Sequence, residues 1–174
     1  MIDLLPSDKL IETERLRLSP LKELDAGCFE ALFKDDWDAV KQTGQFPFPV
    51  TKAALQIWIR KHSGPNGHAF LIRRKCDDEP VGAIGFGGLG PVSELGYALG
   101  RAYWGQGYAS EAAIAMVGVA RALGLGGLQA YSFVENPASA RVLEKAGFSK
   151  MGTMVREYPK RGGMRRVNHF RAML

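Results

Sequence analysis

"YWGQGYASEA", residues 103–112, sets Gly105 and Gly107 on either side of Gln106 and runs straight into a helix-like stretch. A glycine-rich turn between a strand and a helix is a recurring way to hold a phosphate. The first four amides of a helix have no partner inside it, and they point outward at the positive end of the helix dipole. Gly105 and Gly107 let the backbone approach an anion with no side chain in the way. Gln106 points to solvent, and Tyr108 and Ala109 carry the loop into a helix that begins near Ser110. Other phosphate loops fit poorly. The chain has no GxxxxGK[ST], the loop at residues 105–110 is not a GxGxxG, and a dinucleotide turn would follow the first strand, not the fourth. Taken alone, the stretch reads equally as a plain connecting turn.

The flanking segments give the loop a context. Ser93–Leu99 reads as the strand leading in. The helix leading out, "EAAIAMVGVARALGLG" (residues 111–126), carries only Glu111 and Arg121 as charges, so it requires cover on more than one face. Leu128–Val134 is apolar enough for a central strand. In "NPASARVLEKAGF" (residues 136–148), Asn136 suits an N-cap, Pro137 the first helical position and Gly147 the position just past the end. Upstream, Arg15–Leu21 alternates as a strand, and Lys22–Lys34 reads as a helix with Leu24, Cys28, Leu32 and Phe33 on one side. "FPFPVT" (residues 46–51) interrupts the chain, and Thr51 caps a second helix carrying Leu55, Trp58 and Ile59. Strands follow at about His68–Arg74 and Pro80–Gly88, with turns at "CDDEP" and "GLGP". Phe148–Glu157 and Val167–Leu174 form a hairpin around "PKRGGMRR" (residues 159–166). The order β-α-α-β-β-β-α-β-α-β-β predicts an α/β (α+β) domain, a mixed sheet with helices on both faces.

Bulk properties narrow the function classes. The 174 residues suggest one domain, and 46% hydrophobic with 24% charged residues is ordinary for a globular protein. Cys28 and Cys76 offer no disulfide framework. His62, His68 and His169 lack ligand spacing, so no metal is expected. The start is no signal peptide, and the longest nearly apolar stretch, Ala112–Ala120, is too short to span a bilayer. A cytoplasmic protein with no membrane contact is therefore the default expectation. The formal charge of +5 is local: residues 155–174 hold six basic residues and one acid. Such a tail meets nucleic acid or an acidic substrate, or is simply a solvated hairpin. The aromatic and basic interleaving that stacks bases is missing, and DNA is not an expected partner.

Together, the loop and the 136–148 segment resemble the GNAT acyltransferase superfamily. Its acyl-CoA pattern [RQ]-x-x-G-x-[GA] corresponds to Trp104, Gly105, Gln106, Gly107, Tyr108 and Ala109. Its N-x-x-S-x-x-[VL]-[LM]-E-K-x-G-F pattern corresponds to Asn136, Ser139, Val142, Leu143, Glu144, Lys145, Gly147 and Phe148. "ELGYALGRAYWGQGYASEA" and the opening "ETERLRLSPL" are most similar to the branch of the ribosomal-protein N-terminal acetyltransferases. The resemblance spans roughly residues 10–174 and leaves residues 1–9 as an N-terminal extension. Trp104 departs from the loop's usual first Arg or Gln, and Asn168 stands where many relatives carry Asp.

The resemblance implies a mostly antiparallel sheet with two splayed parallel central strands, Ser93–Leu99 and Leu128–Val134. Acetyl-CoA, the implied co-substrate, lies between them. Amides of Tyr97 and Leu99 hold its pantetheine, and those of Gly105, Gln106, Gly107, Tyr108, Ala109 and Ser110 hold its pyrophosphate. Asn136 and Ser139 approach near the sulfur. An amine attacks directly in a ternary complex, with Glu94 drawing its proton and Ser139 serving the leaving thiol. The acceptor is a protein N-terminus, a ribosomal protein's included, or a small-molecule amine, and the chain is a monomer or homodimer. Trp37, Phe46, Phe48 and Trp58 read as an apolar acceptor wall or as core. Two alternatives stand beside this reading: an inactive CoA-binding module, and a basic RNA- or ribosome-associated protein.

Overall fold

Leu16 and Leu18 on one strand, and Leu71 beside Ile72 on another, show how this chain divides its apolar residues. The first pair alternates towards one side of a sheet; the second sends one side chain to each face. The computed structural model describes residues 9–63, 67–88 and 92–174. The expected N-terminal extension lies outside the described residues except for Lys9, as do residues 89–91 of the "GLGP" turn.

Eight strands form the sheet: β1 (Ile11–Glu12), β2 (Leu16–Pro20), β3 (Gly67–Arg74), β4 (Pro80–Gly87), β5 (Ser93–Leu99), β6 (Gly127–Phe133), β7 (Ser149–Tyr158) and β8 (Gly163–Met173). Their spatial order is β1-β2-β3-β4-β5-β6-β8-β7. Every neighbouring pair is antiparallel except β5 and β6, which run parallel. The helices are α1 (Ala26–Phe33), α2 (Trp37–Val40), α3 (Lys52–His62), α4 (Tyr108–Ala122) and α5 (Pro137–Lys145).

Helices α4 and α5 cover one face, where Leu16, Ile72, Ile84, Leu95 and Leu128 meet Ala113, Met116 and Leu143. Helices α1 and α3 cover the other, where Leu71, Ala83 and Ala98 meet Phe29, Phe33, Leu55 and Ile59. Fully burying each large side chain contributes about 1.5–3 kcal/mol. On the face away from α4 and α5, the end of the sheet formed by β6, β8 and β7 carries a small cluster, Phe133, Tyr158 and Val167.

The parallel pair is short. Only Ser93, Glu94 and Leu95 pair with Leu128, Gln129 and Ala130. Beyond them the strands part, because each keeps a stronger neighbour. β5 stays with β4 as far as Leu99, and β6 stays with β8 as far as Phe133. At the far end of β5 the two antiparallel backbones lie very close, since a Cβ on Gly82 would fall 2.1 Å from the carbonyl oxygen of Ala98.

The expected caps form. Thr51 Oγ1 accepts from Ala54 N–H at 3.2 Å, Asn136 Oδ1 accepts from Ser139 N–H at 3.0 Å, and Gly147 takes a positive φ of 89° past α5. Two helices are corrected, and two short elements are added. The helix expected over Lys22–Lys34 is a 3-10 turn at Glu23–Asp25 followed by α1, because the Asp25 carboxylate accepts from Lys22 N–H at 2.8 Å and holds a cap there. Helix α4 starts at Tyr108 rather than near Ser110, and it leaves an exposed stripe with Ile114 and Gly118. Its Ala112, Ala113 and Ala120 are small enough to let the rest lie close to the sheet. Strand β1 and helix α2 are too short for periodicity to detect; α2 rests on a cap in which Asp36 accepts from Ala39 N–H.

Two glycine substitutions test this packing in opposite directions. Gly82→Ala, which drives a methyl into the β5 backbone, is expected to cost about 2–3 kcal/mol. Gly118→Ala, on the open stripe of α4, is expected to stabilise by about 0.5–1 kcal/mol. Urea unfolding midpoints of the two variants read both signs.

Candidate active site

The parting of β5 and β6 leaves half of a strand edge without a neighbour. Gly100 N–H bonds the Val81 carbonyl at 3.0 Å, and strand amides alternate in direction. Ala98 and Gly96 therefore turn their N–H groups to β4, while Tyr97 and Leu99 turn theirs into the gap. These are the two amides expected to hold an extended ligand arm. Trp104 closes the far end: its indole Nε1 donates to the Leu99 carbonyl at 2.9 Å. The aromatic that departs from the family's loop pattern thus ties the loop to the strand.

The loop itself is strained in the way its glycines permit. Gly105 has φ 73° and Gly107, the N-cap of α4, has φ 82°. No atom lies within 4 Å of a Cβ built on Gly105. The bonds of α4 begin with Glu111 N–H to Gly107 O at 3.0 Å, so the amides of Tyr108, Ala109 and Ser110 point out of the helix end. Gln106 donates its side chain back to Ala102 O at 2.8 Å.

Arg15 flanks this loop, and the sequence reading used it only as a strand residue. Its Nη1 donates to Gln106 O at 2.9 Å, its Nη2 would touch a Cβ on Gly107 at 3.2 Å, and its guanidinium lies 4.8 Å from the centre of the Tyr108 ring. Its Nε pairs with Glu111 at 2.7 Å. Glu111 also accepts from the Thr13 hydroxyl at 2.5 Å and from Arg15 N–H at 2.8 Å. Burial alone would raise the Glu111 carboxyl, but these donors outweigh it and hold it below its ordinary value. The one acid in the first turn of α4 is therefore neutralised beside the loop.

On the α4 side of the gap, Ser139 and Tyr97 meet. The Tyr97 hydroxyl lies 2.7 Å from Ser139 Oγ and donates to Ser139 O at 3.2 Å. Burial pushes the Tyr97 phenol up to about 12, against the smaller lowering effect of the Ser139 bond. Tyr97 is thus a neutral O–H donor throughout the neutral range. Asn136 spends its Oδ1 on the cap, fixing the turn of α5 that carries Ser139.

Glu94 lies on the opposite face. It shares that face of β5 with Ala98, whereas Leu95, Tyr97 and Leu99 face α4. The structure therefore brings Ser139 and Tyr97 together and sets Glu94 across the sheet from them, beside the last paired residues. Glu94 Oε2 accepts from Arg156 Nη1 and Nη2, each at 3.3 Å. Arg156 lies 3.8 Å over the Tyr131 ring, and Tyr131 stacks with His169 at 4.9 Å and 13°. His169 Nε2 is buried without a partner among the described residues. Burial, helped by Arg171 and Arg156, holds the imidazole below its ordinary value, with Glu94 opposing.

The expected aromatic wall divides. Phe46 is core, 5.1 Å from Trp58, whereas Trp37 and Phe48 form an exposed pair 4.7 Å apart. Beside Trp37 a cavity of about 190 Å³ is lined by Lys41, Gln42, Glu135 and Arg165. The basic hairpin is less free than its charge suggests. Arg161 is 4% exposed, donating to the Thr43 and Phe46 carbonyls at 2.6 and 2.7 Å. Arg165 pairs with Glu135, and Arg156 with Glu94. Asn168 is buried, accepting from Thr153 Oγ1 at 3.1 Å, so an amide here fills a structural position. Among the described residues no group of three or more His, Cys, Asp or Glu is placed to hold a metal, and no helix is long and apolar enough to cross a membrane.

Comparison with known proteins gives a consistent result. Residues 15–149 match the family described as Acetyltransferase (GNAT) domain. YoaA of Bacillus subtilis (strain 168), named an uncharacterized N-acetyltransferase, is 31% identical over 161 residues, covering 88% of this chain and 90% of its own. A GNAT-family acetyltransferase from Bacillus anthracis superposes with a TM-score of 0.81 at 24% identity, over 95% of this chain and 98% of the other. RimL, a ribosomal L7/L12 alpha-N-protein acetyltransferase solved with coenzyme A, superposes with a TM-score of 0.80 at 22% identity, over 95% and 98%.

The Tyr97 phenol gives a pH signature. Its folded value lies above the unfolded one of 10.0, so its contribution to stability is complete below pH 10 and is lost as pH rises towards about 12. In an ultraviolet titration of the five tyrosines, Tyr97 is expected among the last to ionise before alkaline unfolding. Tyr97→Phe removes one equivalent from that late phase; a titration unchanged by the substitution contradicts the burial of this hydroxyl.

Proposed function

From the premise that the chain belongs to the acetyltransferase (GNAT) family, we propose that it moves an acetyl group from acetyl-CoA to a primary amine by direct attack in a ternary complex. The observation that carries this reading is the gap between β5 and β6, with two strand amides turned into it, a glycine-built helix start at one end and the Ser139–Tyr97 pair at its side.

Each residue's part follows from its chemistry. The amides of Gly105–Ser110 hold the pyrophosphate at the positive end of α4, with Arg15 cancelling the Glu111 carboxylate beside them. Gly105 and Gly107 leave the room that a Cβ would fill. The amide of Leu99 bonds the pantetheine as a neighbouring strand would. The co-substrate supplies an activated acetyl thioester. At the end of the β5–β6 pairing, the Tyr97 amide is a fixed donor for the oxygen that gains charge during attack. Ser139 offers its hydroxyl to the leaving sulfur, Tyr97, a neutral donor, returns a proton to Ser139, and solvent re-protonates Tyr97 once the products leave, as Glu94 releases its proton to solvent. Glu94 takes the amine's proton from the other face. Neither cysteine is placed as a covalent acetyl carrier: Cys28 lies on α1 beside Arg73 of β3, and Cys76 in the β3–β4 turn, not at the β5–β6 gap.

The acceptor is a protein N-terminus or a small-molecule amine. The fold shared with RimL supports the first, and the cavity beside Trp37 offers room for either. RNA binding is disfavoured by the basic hairpin, whose Arg161 is spent inside the protein.

Acetyl-CoA turnover against a panel of N-terminal peptides, polyamines, amino acids and aminoglycosides tests the reading. Coenzyme A binding without turnover on any acceptor would favour an inactive CoA-binding module. Ser139→Ala is expected to lower kcat by about tenfold to a hundredfold while CoA affinity stays near wild type; equal losses in both make Ser139 a binding residue only. Gly107→Glu is expected to abolish CoA binding measured by calorimetry. Gly107→Ala, which shares the backbone strain but adds no charge, separates the two effects. Unchanged affinity in a folded Gly107→Glu sinks the phosphate assignment.

A further inference from the structure

Arg156 sits on β7, at the edge of the sheet, yet it bonds a carboxylate on β5. Strands β6 and β8 lie between them in the sheet order. A side chain that crosses two strands to reach a partner needs support along the way. Tyr131 on β6 provides it, with the guanidinium 3.8 Å from its ring centre. A cation over an aromatic face is a contact that arginine makes more often than lysine. Tyr131 is itself pinned, since its hydroxyl donates to Gln129 Oε1 at 3.2 Å and Gln129 Nε2 donates to Val92 O at 3.3 Å. Gln129 is the residue that stands opposite Glu94 in the parallel register. From β8, His169 stacks on the same Tyr131 ring.

We propose that Arg156 is the positioning residue of the acceptor side, a guanidinium laid on Tyr131 that fixes the Glu94 carboxylate at the point where β5 and β6 part. The proposal rests on the reading of Glu94 as the group that takes the amine's proton. A glutamate rotates about three side-chain bonds and, half exposed at the start of a strand, samples many positions. Holding Oε2 with two nitrogens selects one of them and leaves Oε1 to face the incoming amine or a water between. Proton transfer needs heavy atoms within hydrogen-bond reach, so a misplaced carboxylate costs rate rather than cofactor affinity. The groups around this carboxylate are Arg156 and Tyr158 from β7, Gln129 and Tyr131 from β6, and His169 from β8. Arg156 is the cation among them that bonds Glu94 directly.

A double-mutant cycle on the full chain tests the coupling, with kcat/KM for the best amine of the acceptor panel and CoA affinity measured for each variant. Glu94→Gln is expected to lower kcat/KM by about a hundredfold. Arg156→Met is expected to lower it by about tenfold, leave CoA affinity within about twofold, and add nothing further when combined with Glu94→Gln. Arg156→Lys, which keeps the charge and stem, is expected to recover part of the loss and carries the cycle if Arg156→Met loosens the fold. Full additivity of the two substitutions overturns the proposal and leaves Glu94 as base. A Glu94→Gln variant with wild-type kcat/KM and pH profile overturns the base reading instead, and the proposal with it.

Discussion

The site depends on two parallel strands that stop pairing. β5 and β6 share three residue pairs and then part, each held by an antiparallel neighbour on its other side. An unpaired strand edge inside a sheet leaves donors and acceptors without partners, which costs free energy unless something else meets them. Here the Trp104 indole meets the Leu99 carbonyl, and the Tyr97 and Leu99 amides remain for a ligand. The close β4–β5 contact at Gly82 keeps β5 from drifting back towards β6. The gap is thus maintained by packing outside it.

That geometry also sorts the proton chemistry. Side chains alternate along β5, so Tyr97 and Glu94, three residues apart, face opposite sides of the sheet. A tetrahedral centre in the gap would have its leaving sulfur on the side of Ser139 and Tyr97 and its attacking nitrogen on the side of Glu94. In the proposed reaction the two proton transfers would therefore occur on different faces of the sheet. The raised Tyr97 phenol suits this arrangement, because it keeps its proton until the thiolate side needs one.

The local parts of this structure were legible in the sequence, and the long-range parts were not. The glycine loop, the caps at Thr51 and Asn136 and the order of strands depend on residues within a few positions of one another, where propensity and spacing carry information. The resemblance added the two strands and the place of the gap. What stayed hidden joins residues far apart: Tyr97 with Ser139, 42 positions on; Glu94 with Arg156, 62 on; Arg15 with Glu111, 96 on; Arg161 with Thr43, 118 on. In each pair the residue types alone also suit a solvated surface. Only the strand register, which brings β7 and β8 back over β6, says otherwise.

This explains why the basic tail misleads. Three of its six basic residues, Arg156, Arg161 and Arg165, are bonded to a carboxylate or to main-chain carbonyls. Arginine serves here because its planar, charged fork satisfies several acceptors at once. The β6-β8-β7 end carries few apolar residues between its strands and α2. Arg161 anchors the 43–46 loop there, Arg165 braces Glu135 beside Asn136, and Arg156 reaches the gap. The charge excess that suggests a polyanionic partner is, in large part, what fastens the last hairpin to the site.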